Sequence, residues 1–293
     1  MIEGIIIKGI GGFYYVKTDH GIVESKARGI FREEKKKKTP MVGDKVKIRI
    51  SDEDSGGYIE EILPRSTELI RPPVANITQA IIVMSVKSPD INTWLLDKFI
   101  ILAERVNIDI TICFNKIDLD TNLAEVLGST YKGIGYKTIL TSTISDFGID
   151  SLRESLRDNI SVFAGPSGAG KSSLINKIDK NLDLITGDLS IKTQRGKHTT
   201  RHVELLELDK NTYILDTPGF SSLNLDFIEE EIEVRHYFKE IEKYGKECKF
   251  LSCIHDKEPN CMVKEKVKDG IISESRYNNY LTIVEEVKSN RRY

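Results

Sequence analysis

The chain predicts a multidomain α/β protein with a small β-barrel at the front, a parallel α/β domain in the middle and a helical segment at the end. Three observations carry that expectation. Five short strand patterns fill residues 1–64 with no helical period between them, and apolar runs alternate with amphipathic helices from residue 80 to about 224. Three of the four cysteines then crowd together with a histidine in residues 248–261. A length of 293 residues is enough for two or three domains, each with a core of its own.

Composition narrows the class. With 39% hydrophobic and 30% charged residues the chain reads as a soluble globular protein, and no run approaches the roughly 18 apolar residues of a membrane span. The opening "MIEGIIIKGIGG" puts an acid where a signal peptide carries base, so a cytoplasmic location and no membrane partner are expected. A net charge of -2 and a pI near 6.3 exclude a protein that coats nucleic acid indiscriminately, which leaves local patches for any such contact.

The first domain, 1–64, holds "EGIIIKG", "GFYYVKT", "GIVESKA", "KVKIRIS" and "YIEEILP". Five strands in so short a stretch fit the OB-fold barrel better than a sandwich. Its longest connection contains "FREEKKKK", residues 31–38. A lysine run reads either as a solvated loop or, beside Phe13, Tyr14 and Tyr15, as part of a nucleic-acid surface. Alternation along the strand turns some of those aromatics into the barrel.

The second domain, 65–224, starts with the connector "RSTELIRPPVAN" and continues as "AIIVMSV", "INTWLLDKFIILAERV", "IDITICF", a helix near 121–127, "KTILTS", a helix near 150–157 and "NISVFAG". Buried strands alternating with helices predict parallel β-α units with helices on both faces, and Trp94 reads as part of the buried face of its helix. In the third domain, 225–293, "DFIEEEIEVRHYFKEIEKYG" reads as helical. A last amphipathic helix there carries Tyr277, Tyr280, Val284 and Val287 on one side.

Chemistry enters at "GPSGAGKS", which fits the phosphate-loop pattern with Gly165, Gly170, Lys171 and Ser172 in their places. Glycines let the backbone wrap phosphates so that Gly165, Pro166, Ser167, Gly168, Ala169, Gly170 and the following Lys171, Ser172 and Ser173 surround them as a loop, every residue except the proline offering an N–H. Lys171 would reach the β and γ phosphates, and the Ser172 hydroxyl would bind Mg²⁺. "NKID" selects the base: Asp118 can accept from the ring N–H and amino group of guanine, a donor pair adenine lacks, while Asn115 ties this loop to the phosphate loop and the Lys116 stem covers the base. Thr141 and Ser142, at the end of another apolar run, would supply a backbone N–H to the guanine carbonyl. In "YILDTPG", Asp216 would hold Mg²⁺ through water and the Gly219 N–H would sense the γ phosphate. The intervening "TGDLSIKTQRGKHTTRHVEL" offers threonines that could close over Mg²⁺, and taken alone His198 reads as a solvated loop residue.

The order of these motifs is unusual. In an ordinary GTP-binding domain the phosphate loop comes first and the NKxD and TS motifs last; here those two come first. Nothing is missing, so the domain reads as circularly permuted, with the old ends joined between the helix at 150–157 and the phosphate-loop strand. The chain leaving the DxxG motif then runs straight into the third domain. There "CKFLSCIHDKEPNC" gives C-x4-C-x-H-x5-C, and Cys248, Cys253, His255 and Cys261 suit one closed, tetrahedral, structural Zn²⁺ site. Cys113 stands alone in an apolar run.

A permuted order of NKxD, phosphate loop and DTPG, preceded by an OB-like barrel and followed by a Cys-Cys-His-Cys segment, resembles the RsgA family (also called YjeQ or YloQ) across the whole chain. The resemblance implies a cytoplasmic, monomeric GTPase of late small (30S) ribosomal subunit assembly. It would contact the subunit and its 16S rRNA and hydrolyse GTP to GDP and phosphate under stimulation by the subunit. It also implies that "RGKHTTRHVEL" is the switch, with Thr200 on Mg²⁺ and His198 orienting the attacking water, so that His198, Thr200 and Lys171 form the catalytic set. Phe220 follows Gly219 where many GTPases have a glutamine, which implies slow hydrolysis by the chain alone. Two rivals stand beside this reading: a nucleic-acid-binding module whose GTP/GDP site is a sensor with negligible turnover, and a phosphate-loop kinase or ATPase, against which "NKID" and "TS" argue.

Overall fold

A computed structural model describes residues 1–27, 39–50, 56–70, 72–180, 182, 203–215, 220 and 223–290. The lysine run at 31–38 and the positions of His198, Thr200, Asp216 and Gly219 lie outside these residues.

Strands β1 (Ile2–Ile10), β2 (Phe13–Thr18), β3 (Gly21–Ala27), β4 (Lys45–Ile50) and β5 (Gly57–Ile62) form a closed barrel in the order β1-β2-β3-β5-β4. Its pairs are antiparallel except β3 with β5. Period-2 alternation sends Ile6, Val16, Val46, Ile48 and Ile59 into a small core, and closure leaves the sheet without an edge. The same alternation separates the three aromatics of β2. Tyr14 packs on the barrel core, whereas Phe13 faces out under the Lys26 ammonium, 5.1 Å from its ring. Tyr15 bonds to Glu24, whose carboxylate raises the phenol pKa.

A hairpin of β6 (Glu68–Ile70) and β7 (Pro73–Ala75) leads to the α/β domain. That domain runs β8 (Gln79–Ser85), α1 (Thr93–Arg105), β9 (Asp109–Asn115), α2 (Thr121–Ile134), β10 (Lys137–Thr141), α3 (Ile149–Leu156), β11 (Ile160–Ala164), α4 (Lys171–Ile178), β12 (Leu205–Asp209) and β13 (Thr212–Leu215). The sheet order is β10-β9-β8-β11-β13-β12, parallel throughout except for β12. Every residue of β8 and of β11 is buried, which is why both read as unbroken apolar runs. Alternate residues of β8 serve the two faces: Ala80, Ile82 and Met84 meet α1 and α2, while Ile81 and Val83 meet α3 and α4.

Circular permutation is visible in the connection from α3 to β11, where only residues 157–159 intervene and the Asn159 N–H donates to Leu156 O at 3.1 Å. Counted from β11, the sheet order reads 6-5-4-1-3-2, so the reversed motifs reflect chain continuity and leave the sheet whole.

Beyond residue 223 the chain departs from the expected long helix. A 3-10 helix (Glu231–Tyr237) precedes α5 (Lys239–Gly245), because Phe238 adopts extended backbone and turns its ring into the third core. Helices α6 (Met262–Lys268) and α7 (Glu274–Asn290) complete this domain, with Tyr280, Ile283, Val284 and Val287 of α7 buried. Ile101 and Leu102 of α1 belong to the same core, so the C-terminal helices pack directly on the α/β domain. Trp94, half-buried, also faces this way, with the Lys98 ammonium 4.7 Å from its ring.

Candidate functional site

Parallel packing brings the carboxyl ends of β8, β9, β10 and β11 to one edge, where an open α/β sheet offers loops to a ligand. The loop after β11, residues 165–170, is confined by its neighbours. Gly165 (φ +131) and Gly170 (φ +96) take left-handed conformations, and a Cβ on either would lie 2.1 Å from Val83 O or 2.3 Å from Asn115 Nδ2, so only glycine fits. Ser167 and Gly168 are exposed at the turn, Pro166 and Ser173 are half-buried, and Ala169 and Ser172 are buried. Lys171 curls back, its ammonium donating to Gly165 O at 2.7 Å and Pro166 O at 2.8 Å. A cation is thereby fixed in the mouth of the loop.

The second wall comes from β9 and β10. Asn115, buried, donates from Nδ2 to Ala169 O at 2.9 Å and accepts from the Thr141 hydroxyl at 3.1 Å. That hydroxyl has its proton committed to Asn115, so the Cys113 thiol, 3.2 Å away, is the donor to it. Burial pushes the Cys113 thiol up to about 12, which keeps it protonated for that task. Lys116, in left-handed backbone (φ 61), donates to Ser88 O and to Gly168 O, the latter at 2.8 Å. The guanine-reading and phosphate-loop candidates are therefore joined by direct bonds from Asn115 and Lys116. Asp118 sits exposed in the 3-10 turn Ile117–Leu119, with one carboxylate oxygen accepting from the buried Ser142 hydroxyl. Asp120 then caps α2 by accepting from the Leu123 N–H at 3.0 Å, and that bond lowers its pKa.

The Ser142 N–H donates to Phe147 O at 3.0 Å, and the N–H groups of Ile144 and Ser145 donate to Ser142 Oγ at 3.2 and 3.3 Å. The 142–147 turn therefore closes on itself.

Phe220, the first described residue after "DTPG", takes φ 55 and packs its ring between the core under α1 and the C-terminal core. An apolar ring held there has no means of orienting water.

The predicted metal ligands converge in the C-terminal domain. The Sγ atoms of Cys248, Cys253 and Cys261 and a ring nitrogen of His255 all lie within 4.8 Å of one another. Cys248 Sγ and Cys261 Sγ are 3.5 and 3.4 Å from His255 Nδ1, and 3.8 Å from each other. A tetrahedral dication with metal–sulfur bonds of about 2.3 Å and a metal–nitrogen bond of about 2.0 Å needs ligand separations of about 3.5–3.8 Å, so the donor set fits such an ion. Burial pushes Cys253 up to about 12 and His255 down to about 4, so the imidazole is neutral and ready to ligate, while the thiols need the positive charge of a metal to ionise. Surrounding bonds fix the loop. Glu258 accepts from the N–H groups of Ile254 (2.6 Å) and Asp256 (2.9 Å), and Tyr277 and Tyr280 of α7 donate to His255 O (2.6 Å) and Ile254 O (2.9 Å).

Two family models match the chain: one described as RsgA GTPase covers residues 62–226, and one described as RsgA N-terminal domain covers residues 3–59. Small ribosomal subunit biogenesis GTPase RsgA of Alkaliphilus metalliredigens is 53% identical over 296 aligned residues, which span 100% of both proteins. The protein of the same name from Caldanaerobacter subterraneus subsp. tengcongensis is 50% identical over 295, spanning 100% of this chain and 98% of its own. Among solved structures, YjeQ from Thermotoga maritima superposes with a TM-score of 0.83 at 38% identity over 98% of both chains. The crystal structure of YloQ, a circularly permuted GTPase, gives 0.81 at 38% identity, covering 99% of this chain and 96% of that one. Among the described residues, no helix is long and apolar enough to cross a membrane.

Proposed function

The chain belongs to the RsgA family of GTPases, and from that premise we propose that it hydrolyses GTP to GDP and phosphate in late assembly of the small (30S) ribosomal subunit, with the subunit stimulating turnover. The observation that carries this reading is the joining of the two loops by Asn115 and Lys116, because it makes one pocket from motifs that lie in reversed order along the chain. In that pocket the backbone of 165–173 and the Lys171 ammonium hold the phosphates, while Asp118, steadied by Ser142, reads the guanine donors. The Thr141–Ser142 segment presents its turn to the guanine carbonyl. Mg²⁺ would be held by the Ser172 hydroxyl with Thr200 and, through water, Asp216, and would neutralise charge on the β and γ phosphates. Gly219 senses the γ phosphate, Thr200 closes the switch, and His198 orients water in place of the side chain that Phe220 cannot supply.

We assign zinc to the C-terminal cluster as a structural ion, since three thiolates and an imidazole fill a tetrahedron and leave no open position. Metal analysis should find one zinc per chain. The division into an RNA-binding barrel (1–64), GTPase domain (65–224) and zinc domain (225–293) belongs to the same reading, as do a cytoplasmic monomer and contact with 16S rRNA, for which Phe13 with Lys26 on the outer barrel face is a suitable surface.

The test is steady-state GTP hydrolysis by the chain alone, with small subunits, and with large subunits as control. A large rise with small subunits only is expected. Tight GTP binding with no rise would favour the second reading, a nucleotide sensor with negligible turnover, which the placement of Phe220 keeps in view.

A further inference from the structure

A buried cluster of charged side chains lies between the α/β domain and the C-terminal helices, and none of its members is a predicted nucleotide or metal ligand. Asp97 of α1 is fully buried, and one of its oxygens accepts from Arg276 Nη1 at 2.5 Å and from the Tyr131 hydroxyl at 2.8 Å. The other accepts from Asn279 Nδ2 at 2.7 Å. Arg276, 1% exposed, turns its remaining donors to Glu240, with Nε to Oε1 at 2.7 Å and Nη2 to Oε2 at 3.1 Å. Its guanidinium also stacks 4.4 Å from the Phe238 ring centroid. Burying such a group seldom stabilises a fold more than apolar residues would, so the cluster calls for a role in geometry.

Its position supplies one. α1 is the helix just before β9 and α2 the helix just after the Ile117–Leu119 turn, so the segment that carries Asn115, Lys116 and Asp118 is bracketed by these two helices. The Tyr131–Asp97 bond ties α2 to α1 across β9, and Phe114, beside Asn115, packs against the Tyr131 ring with centroids 6.0 Å apart. On the other side Arg276 and Asn279 belong to α7, whose Tyr277 and Tyr280 hold the carbonyls of His255 and Ile254 in the metal loop. An unbroken series of bonds therefore runs from the metal loop, through α7 and Asp97, to the helices that frame the guanine-reading loop.

The geometry points to Asp97, with Tyr131, Asn279 and Arg276, as positioning residues for the guanine-reading loop, through which the metal of the C-terminal cluster and guanine nucleotide strengthen each other's binding. The inference rests on the guanine-site reading given above. With the metal loop formed, α7 presents Arg276 and Asn279 to Asp97 and the two bracketing helices are held at one spacing; without it, nucleotide must order the loop as well as bind it. Linkage makes the effect reciprocal.

Binding of a fluorescent GDP analogue to the metal-loaded full chain and to the same chain after chelation tests this. Binding should weaken by about fivefold or more on chelation, and GDP should slow release of the metal to a chromophoric chelator by a similar factor. Tyr131→Phe and Asn279→Ala each remove one bond to Asp97 without touching a ligand or nucleotide residue. In the metal-loaded protein both should weaken GDP binding, raise KM for GTP with kcat retained, and shrink the effect of GDP on metal release, with metal content unchanged. Equal GDP affinity with and without metal, or variants that behave as wild type in both assays, would overturn the inference. Absence of GDP binding by the metal-loaded wild type would instead overturn the guanine-site reading on which it stands.

Discussion

The candidate nucleotide loops and the Cys-Cys-His-Cys cluster both gather polar groups at one point, but on different scaffolds. The loops hang from the carboxyl ends of four parallel strands, and their inner bonds, Asn115 to Ala169 O and Lys116 to Gly168 O, run between protein groups. The metal cluster sits between short helices, and its Sγ and Nδ1 atoms point at one another. In the first case the fold sets the loops; in the second a bound metal would help to make the fold. Losing a contact should therefore cost affinity in one region and stability in the other.

The sharpest way to break that contrast is Cys253→Ala. Isolated structural zinc sites contribute about 10–16 kcal/mol, and packing on α1 supplies part of the order here, so a loss on the order of 5 kcal/mol from the C-terminal domain is expected. Urea titration followed by domain-specific probes should show that domain melting early while the α/β transition persists. Arg276→Ala comes next. It strands Asp97 and Glu240 in the interface, at about 3–5 kcal/mol, again read from urea denaturation.

Acid gives an effect of similar kind through His255. Burial holds its imidazole at about 4 in the folded chain, below the ordinary value near 6.5. Between those values the unfolded chain binds the proton and the folded chain does not, so stability of the metal-free protein should fall by on the order of 3 kcal/mol as pH drops from about 6.5 to 4 and gain nothing from His255 above that window. Thermal melts of metal-free protein across that range check the sign. Stability that rises on acidification would contradict a neutral buried imidazole. The smallest expected effect lies in the nucleotide site. Asp118→Asn should weaken GTP by about 1.5–3 kcal/mol and shift preference towards xanthine nucleotides, with unfolding unchanged, since Asp118 is exposed and holds no part of the core. Competition binding with GTP and XTP reads it directly, and unchanged GTP affinity would remove Asp118 from its assigned role.

Legibility follows the same division. The phosphate loop, "NKID" and the Cys-Cys-His-Cys spacing were readable because each needs several residue types within a short run, where backbone geometry is local. The barrel and the parallel sheet were readable from period 2 and from unbroken apolar strands such as β8. Less readable were features that arise on closure. The Ser142 N–H turns to Phe147 O, and Phe238 breaks the expected helix by burying its ring.

The sequence by itself determined most of the elements, the permuted order, the candidate nucleotide loops and the Cys-Cys-His-Cys donor set, since contiguous residues carry each of them. Only the tertiary structure decided which distant charges meet. Asp97, Glu240 and Arg276 each read as an ordinary charge on an amphipathic helix, and they become one buried cluster because the C-terminal helices dock on α1. No period or spacing encodes a contact across 179 residues; it follows from the packing of two cores, and that packing sets which charged side chains lose their water.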